Sequence, residues 1–182
     1  MPMTEPTTLV RQATVKDAGA IAKIHVDTWR SAYRGLVSED YLAALSYRRA
    51  EDRWITQLSG AAGFCLVAET SGGVMVGFAA GGPERENSPE FASEVYALYV
   101  TPSYHRRGVG RQLMVAMARE FLRREGLGMK VWVLAGNPAR GFYEALGGRL
   151  AGQKPIEIGG KPLLEVAYGW PDVRLLAGES RV

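Results

Sequence analysis

The sequence predicts a mixed α/β fold: a single domain whose mostly antiparallel sheet is flanked by helices. Three observations carry that prediction. Two apolar runs, 64–69 and 74–80, are joined by Ser71-Gly72-Gly73, the signature of a hairpin. A third apolar run, Val95 to Val100, leads through a stretch rich in Arg and Gly into a long segment with helical apolar spacing. The last third holds a strand, a short helix and two more strands around Gly159-Gly160.

The elements follow in order. Residues 1–8 read as a flexible tail, followed by a short apolar stretch at Leu9-Val10. Thr14 followed by Asp17 has the form of a helix-starting cap with an acid in the first turn. Ile21, Ile24, His25 and Thr28 then fall at helical spacing, and Trp29, Tyr33, Leu36, Tyr41, Leu42 and Leu45 continue it past Gly35. Two or three helices are expected from Val15 to about Leu58. After the 64–80 hairpin, Gly81 to Pro89 reads as an exposed loop. Val95 to Val100 is apolar enough to be buried on both faces, and Pro102 ends it. From Gly108 a helix carries Val109, Leu113, Met114, Met117, Phe121 and Leu122, with Gly126 and Gly128 expected to stop it. Val131 to Ala135 is a strand. Asn137-Pro138 supplies a cap and a first-turn proline for a short helix to Leu146, closed by Gly147. Strands at 148–158 and 163–170 complete a domain at 9–170, leaving 171–182 as a C-terminal tail.

Composition narrows the function. At 182 residues the chain is long enough for one domain and a proper core. One cysteine excludes a disulfide scaffold and suits a reducing cytosol, and with only two histidines no Cys/His metal site is expected. No apolar run approaches the roughly 20 residues needed to cross a bilayer, and the start lacks the basic and apolar segments of a secretory signal. A cytoplasmic location with no membrane partner is the expectation. A net charge of +3 without a basic stripe argues against a nucleic-acid partner.

Several active sites are excluded by motif. There is no phosphate loop of the Gly-x4-Gly-Lys-Ser/Thr kind and no Gly-x-Ser-x-Gly elbow. Gly108-Val109-Gly110 lacks the third glycine of a dinucleotide fold, since Leu113 stands there. What remains is a strand ending Val100-Thr101-Pro102, the loop His105-Arg106-Arg107-Gly108-Val109-Gly110-Arg111, and a helix start. Unpaired N–H groups and the positive dipole end of a helix make an anion site, and glycines allow close backbone approach. Three guanidiniums, Arg106, Arg107 and Arg111, point to a compact phosphate ligand.

These residues resemble the GNAT superfamily of acyl-CoA-dependent N-acetyltransferases. The family's phosphate loop runs Gln/Arg-x-x-Gly-x-Gly/Ala after a Val-x-Pro strand end; here His105 occupies its first position. A second block, Asn137-Pro138-Ala139-Arg140-Gly141-Phe142-Tyr143, is similar to the family's Asn-x-x-Ala-x-x-Phe-Tyr but one residue shorter. Trp29-Arg30-Ser31-Ala32-Tyr33-Arg34-Gly35 resembles the acceptor side of one branch.

The resemblance implies a single GNAT-like domain and acetyl-CoA as co-substrate, with no metal. It implies that His105 to Arg111 holds the pyrophosphate, that Asn137 contacts the pantetheine arm, and that Tyr143 protonates the departing thiolate. The backbone of Leu98, Tyr99 and Val100 is expected to supply N–H donors near the thioester carbonyl. Glu94 lies at the interval before Gly108 that the catalytic glutamate of the histone acetyltransferase branch occupies. Trp29 and Tyr33, four apart on one helical face, are expected to bind the acceptor, a small-molecule or peptide amine. The helical spacing of the short helix predicts that Phe142 packs inward while Tyr143 faces a cleft. His25 reads as a packed helix residue and Cys65 as inert. A non-catalytic acyl-CoA sensor on the same fold is the alternative, and a homodimer is left open.

Overall fold

The computed structural model describes residues 8–178, so residues 1–7 and 179–182 of the expected tails lie outside the described residues. Its strands are β1 (Thr8–Gln12), β2 (Phe64–Thr70), β3 (Met75–Pro83), β4 (Ser93–Val100), β5 (Met129–Leu134), β6 (Arg149–Ile158) and β7 (Lys161–Trp170). They form one sheet in the order β1-β2-β3-β4-β5-β7-β6, antiparallel at every step except β4 beside β5. The mixed, mostly antiparallel α/β class expected from the sequence is the one adopted.

Side chains alternate across a strand, and β2 shows what that does. Phe64, Leu66 and Ala68 join Leu113, Met114, Met117 and Phe121 of α4 (Val109–Arg123) on one face. Cys65 and Val67 join Ile21 and Ile24 of α1 (Ala18–Ala32) and Trp54 of α3 (Tyr47–Ser59) on the other. The start of α1 is fixed as its sequence implies: the Thr14 N–H donates to the Asp17 carboxylate at 2.7 Å. A third cluster joins Tyr33, Val37, Leu42 of α2 (Glu39–Ala44) and Leu134, drawing the helices toward the β6–β7 hairpin.

The sheet is interrupted at its centre. β4 and β5 pair over only three positions, Ser93 with Met129, Glu94 with Lys130 and Val95 with Val131. Beyond these the strands part, while β5 stays paired with β7 as far as Leu134 and Glu165. On the other edge of β4 the register slips between Ala80↔Ala97 and Gly81↔Val95, leaving Tyr96 as the extra residue of a β-bulge. A wedge therefore opens along Tyr96–Val100, toward which alternate backbone groups of β4 point.

That wedge corrects the first of several expectations. Val95 to Val100 is not buried throughout: Ser93, Glu94 and Val95 are, but Tyr96 to Val100 are half-exposed because β5 has left them. Gly81 and Gly82 are not in an exposed loop but buried in β3, where a Cβ at Gly81 would come 2.6 Å from Met117 Cε. The loop that follows is tied down by Lys130, whose Nζ lies 2.6 Å from Glu84 and 2.9 Å from Glu86. α4 ends at Arg123 because Glu125, not a glycine, takes the left-handed conformation; Gly126 is needed instead because a Cβ would meet Ser93 Oγ at 2.4 Å. Leu9-Val10 belongs to the edge strand β1. The segment after Trp170 is no tail as far as Gly178: Val173 is fully buried, and Arg119 Nε donates to the Ala177 carbonyl of α6 (Arg174–Ala177) at 3.1 Å.

Candidate active site

The Arg- and Gly-rich loop lies between the end of β4 and the start of α4. His105 Nε2 is 2.8 Å from the Val100 carbonyl, which ties the loop back to the strand it leaves. Arg106 and Gly108 adopt left-handed φ of 61° and 80°, with Arg107 between them in an ordinary conformation. Alternation of this kind turns successive N–H groups to one side. The first helical bond is Gln112 N to Gly108 O, 2.9 Å, so the N–H groups of Val109, Gly110 and Arg111 have no helical partner.

Space and charge suit the same guest. A Cβ on Gly108 would meet nothing within 4 Å, so the backbone there is open to a ligand. Gly110 serves packing, since a Cβ on it would lie 3.2 Å from the Phe142 ring. Val109 anchors the turn in the core. Arg106 and Arg111 form no ion pair among the described residues, while Arg107 lies over the Tyr104 ring, 5.3 Å from its centroid. Arg111 also lines a cavity of about 380 Å³ with Arg149, Leu146 and Trp170.

The two faces of β4 divide the site. Leu98 and Val100 pack toward α4, whereas Tyr99 packs toward α1 and α2. Trp29 Nε1 donates to the Tyr99 hydroxyl at 2.8 Å, and Trp29 and Tyr33 lie 4.6 Å apart, ring to ring. The Tyr33 hydroxyl couples to Tyr99 and to the Asn137 side chain. Asn137 Oδ1 accepts from Ala139 N at 2.8 Å, so its amide N–H groups are left for the Tyr33 hydroxyl and one further acceptor. That bond makes a turn rather than a helix cap: α5 (Arg140–Ala145) begins two residues after Pro138.

Tyr143 completes this junction, with its ring the reverse of the expected orientation. It is Tyr143 that is buried, stacked on Tyr168 at 5.9 Å and edge-on to Trp170, while Phe142 is half-buried against Gly110. α5 spans six residues, and the wide rings at the end of β7 decide which face it turns inward. Tyr143 remains electrostatically coupled to Tyr33 and Tyr99 across the junction. Burial pushes all three phenols above their ordinary pKa.

On the Tyr99 side is a cavity of about 450 Å³, lined by Trp29, Tyr33, Tyr99 and Glu94. Glu94 is not a solvated strand-edge residue. It is 1% exposed and paired to both neighbouring strands; the Arg85 N–H donates to one carboxylate oxygen at 3.3 Å and the Arg85 guanidinium to the other. Sequence reading missed Arg85, Trp132 and Glu165, which line the same cavity. Nothing local marks them, because only the strand register brings β7 and the β3–β4 loop to this wall. His25 packs as expected, and Cys65 is buried with its thiol pushed up to about 12. Among the described residues, no group of three or more His, Cys, Asp or Glu can hold a metal ion. No helix among the described residues is long and apolar enough to cross a membrane.

A family comparison matches residues 21–148 to the Acetyltransferase (GNAT) family. The chain belongs to the GNAT family of acetyltransferases. Its relative YuaI of Bacillus subtilis (strain 168), described as an uncharacterized N-acetyltransferase, is 39% identical over 169 residues, 92% of this chain and 95% of that protein. A GCN5-related N-acetyltransferase structure from Rhodopseudomonas palustris superposes with a TM-score of 0.70 at 27% identity, covering 93% of this chain and 97% of that one. The acetyltransferase yncA from Salmonella typhimurium, solved with its cofactor acetyl-CoA, shares the fold: TM-score 0.66 at 22% identity, covering 90% and 93% of the two chains. As a GNAT protein, the chain is an acyl-CoA-dependent acetyltransferase.

Proposed function

We propose that this GNAT protein moves an acetyl group from acetyl-CoA directly to a primary amine. The observation that carries the reading is the division of β4. An anion-ready helix start lies at its end, an aromatic cavity lies on its Tyr99 face, and the Tyr143 hydroxyl lies at the junction.

The free N–H groups of Val109, Gly110 and Arg111, the open space over Gly108 and the three arginines fit a pyrophosphate. The backbone N–H groups of Leu98 and Val100, which alternate with those that pair to β3, face the wedge and would stabilise charge developing on the thioester oxygen. The Asn137 amide suits the amide-bearing arm. An amine with a pKa near 10.4 is almost wholly protonated at neutral pH, so attack needs a proton acceptor. Glu94, held in place by Arg85, serves through water. As the C–S bond breaks, Tyr143 gives its proton to the sulfur. Its raised pKa keeps that proton in place at neutral pH.

Direct transfer is favoured because the chain's one cysteine lies buried in β2 with its thiol held protonated, so no thiolate is at hand to take the acyl group. Initial-rate kinetics over an amine panel, read as CoA release, test this. Intersecting double-reciprocal lines are expected. Parallel lines overturn direct transfer, and acetyl-CoA binding with no turnover on any amine moves the reading to an acyl-CoA sensor.

A further inference from the structure

Five charged side chains line the acceptor cavity: Arg85, Glu86, Glu94, Lys154 and Glu165. Four are satisfied in pairs. Arg85 holds Glu94, and Lys154 holds Glu86, which Lys130 also reaches at 2.9 Å. The Glu165 side chain has no hydrogen bond and no ion pair among the described residues. It stands on β7, in register with Leu134 of β5 on one side and Lys154 of β6 on the other. The rest of the wall is apolar or aromatic, with the rings of Trp29, Tyr33, Tyr96, Tyr99 and Trp132 beside Ile156 and Ile158 of β6.

Charge balance then fixes what the cavity can accept. With the two pairs cancelling, one carboxylate remains without a partner, half-buried between aromatic and aliphatic side chains, and it is the group left to take a cation. Resting on the acetyl-transfer reading above, we propose that Glu165 anchors the acceptor's ammonium group, and that the acceptor is a singly charged amine on an aromatic or apolar body without an anionic group. A carboxylate on the acceptor would face Glu86, Glu94 and Glu165, while the cations that might receive it are already engaged. Burial raises the Glu165 carboxyl above its usual range, Glu86 and Glu94 adding to the rise and Lys154 and Arg85 opposing it. An arriving ammonium relieves that penalty. The volume suits a small molecule, as ligand pockets run from about 300 to 1,000 Å³, and aromatic faces attract the cation as well.

The test is calorimetry on the CoA-bound protein with three probes of one shape: 2-phenylethylamine, phenylalanine and 2-phenylethanol. The wild type is expected to bind the amine at least tenfold more tightly than the zwitterion or the alcohol. Glu165→Gln should weaken amine binding at least tenfold, leaving CoA and alcohol binding unchanged, and Glu165→Asp should recover part of the loss. Equal binding of phenylalanine and the amine by the wild type overturns the inference, as does failure to bind the amine; neither result depends on a variant folding. So does a folded Glu165→Gln protein with wild-type amine affinity. Charge-selective amine binding with no CoA release from acetyl-CoA would overturn the transfer reading and leave the anchor standing. Turnover with an amine KM that ignores Glu165→Gln would do the opposite.

Discussion

At the residue scale, Tyr143 combines two demands that pull against each other. Its ring is locked among Tyr168, Trp170 and Phe142, and on the reading above its hydroxyl must serve the reaction. Tyr143→Phe keeps the packing and removes only the donor. kcat and kcat/KM for one accepted amine should fall together by about 10²-fold, with acetyl-CoA affinity nearly intact. Steady-state kinetics beside thermal melts check this, and lost stability with wild-type turnover would assign the residue to packing alone. His25 makes a second residue-scale prediction. Its Nδ1 accepts from Trp54 Nε1 at 3.1 Å, its ring stacks on Tyr99 at 5.3 Å, and burial lowers its pKa from 6.5 to about 4. The unfolded chain takes up this proton below pH 6.5, whereas the fold resists it until about pH 4. The stabilisation is therefore complete above 6.5 and lost as pH falls through that window, on the order of 3 kcal/mol in all. His25→Gln keeps an acceptor for Trp54, so melts from pH 7 to 4.5 should show a shallower decline than the wild type. Asp17, held at about 2 by Arg11, titrates below this window and does not interfere.

At the element scale, the turn from β4 into α4 separates two kinds of glycine. Gly108→Val places a branched side chain in the open space proposed to receive the pyrophosphate, at a φ of 80°. Acetyl-CoA binding by calorimetry should drop at least tenfold in protein that remains folded at 15 °C. Unchanged affinity would remove this loop from the site. The loop after β3 depends on buried charge instead: Glu84→Ala leaves the Lys130 ammonium, 6% exposed, with Glu86 alone. A loss of about 3 kcal/mol by denaturant melts is expected, because removing one partner of a buried pair strands the other. These elements also show where sequence reading works. The strand, loop and helix were legible because residues 95–123 are contiguous, and each gives a local signal in period, glycine or charge. The Tyr143 orientation was not legible, since a six-residue helix is turned by Tyr168 and Trp170, which lie more than twenty residues away. Nor was Glu165, which looks like any polar residue in an alternating strand until the β5–β7 register sets it on the cavity wall.

At the scale of the whole molecule, the sheet is two sheets joined by three rungs, and the wedge and the cavity lie where they part. A ligand that fills the wedge holds both halves together, and one that binds only the folded state stabilises it by mass action. CoA at 100 times its Kd should add about 2.7 kcal/mol. For a domain of this size that is roughly 5–10 °C in Tm, read by calorimetric scans with and without CoA. If Arg106, Arg107 and Arg111, all exposed, receive the phosphates as proposed, the shift should shrink as salt rises. The aromatic wall of the acceptor cavity has one further consequence, an optical one. Of the chain's four tryptophans, Trp29 and Trp132 line that cavity, Trp170 lines the one beside Arg111, and Trp54 is buried against His25. Three indoles thus line cavities and one lies in the core. The protein's own ultraviolet emission can report occupancy of each chamber, with Trp54 as an internal constant and no dye attached.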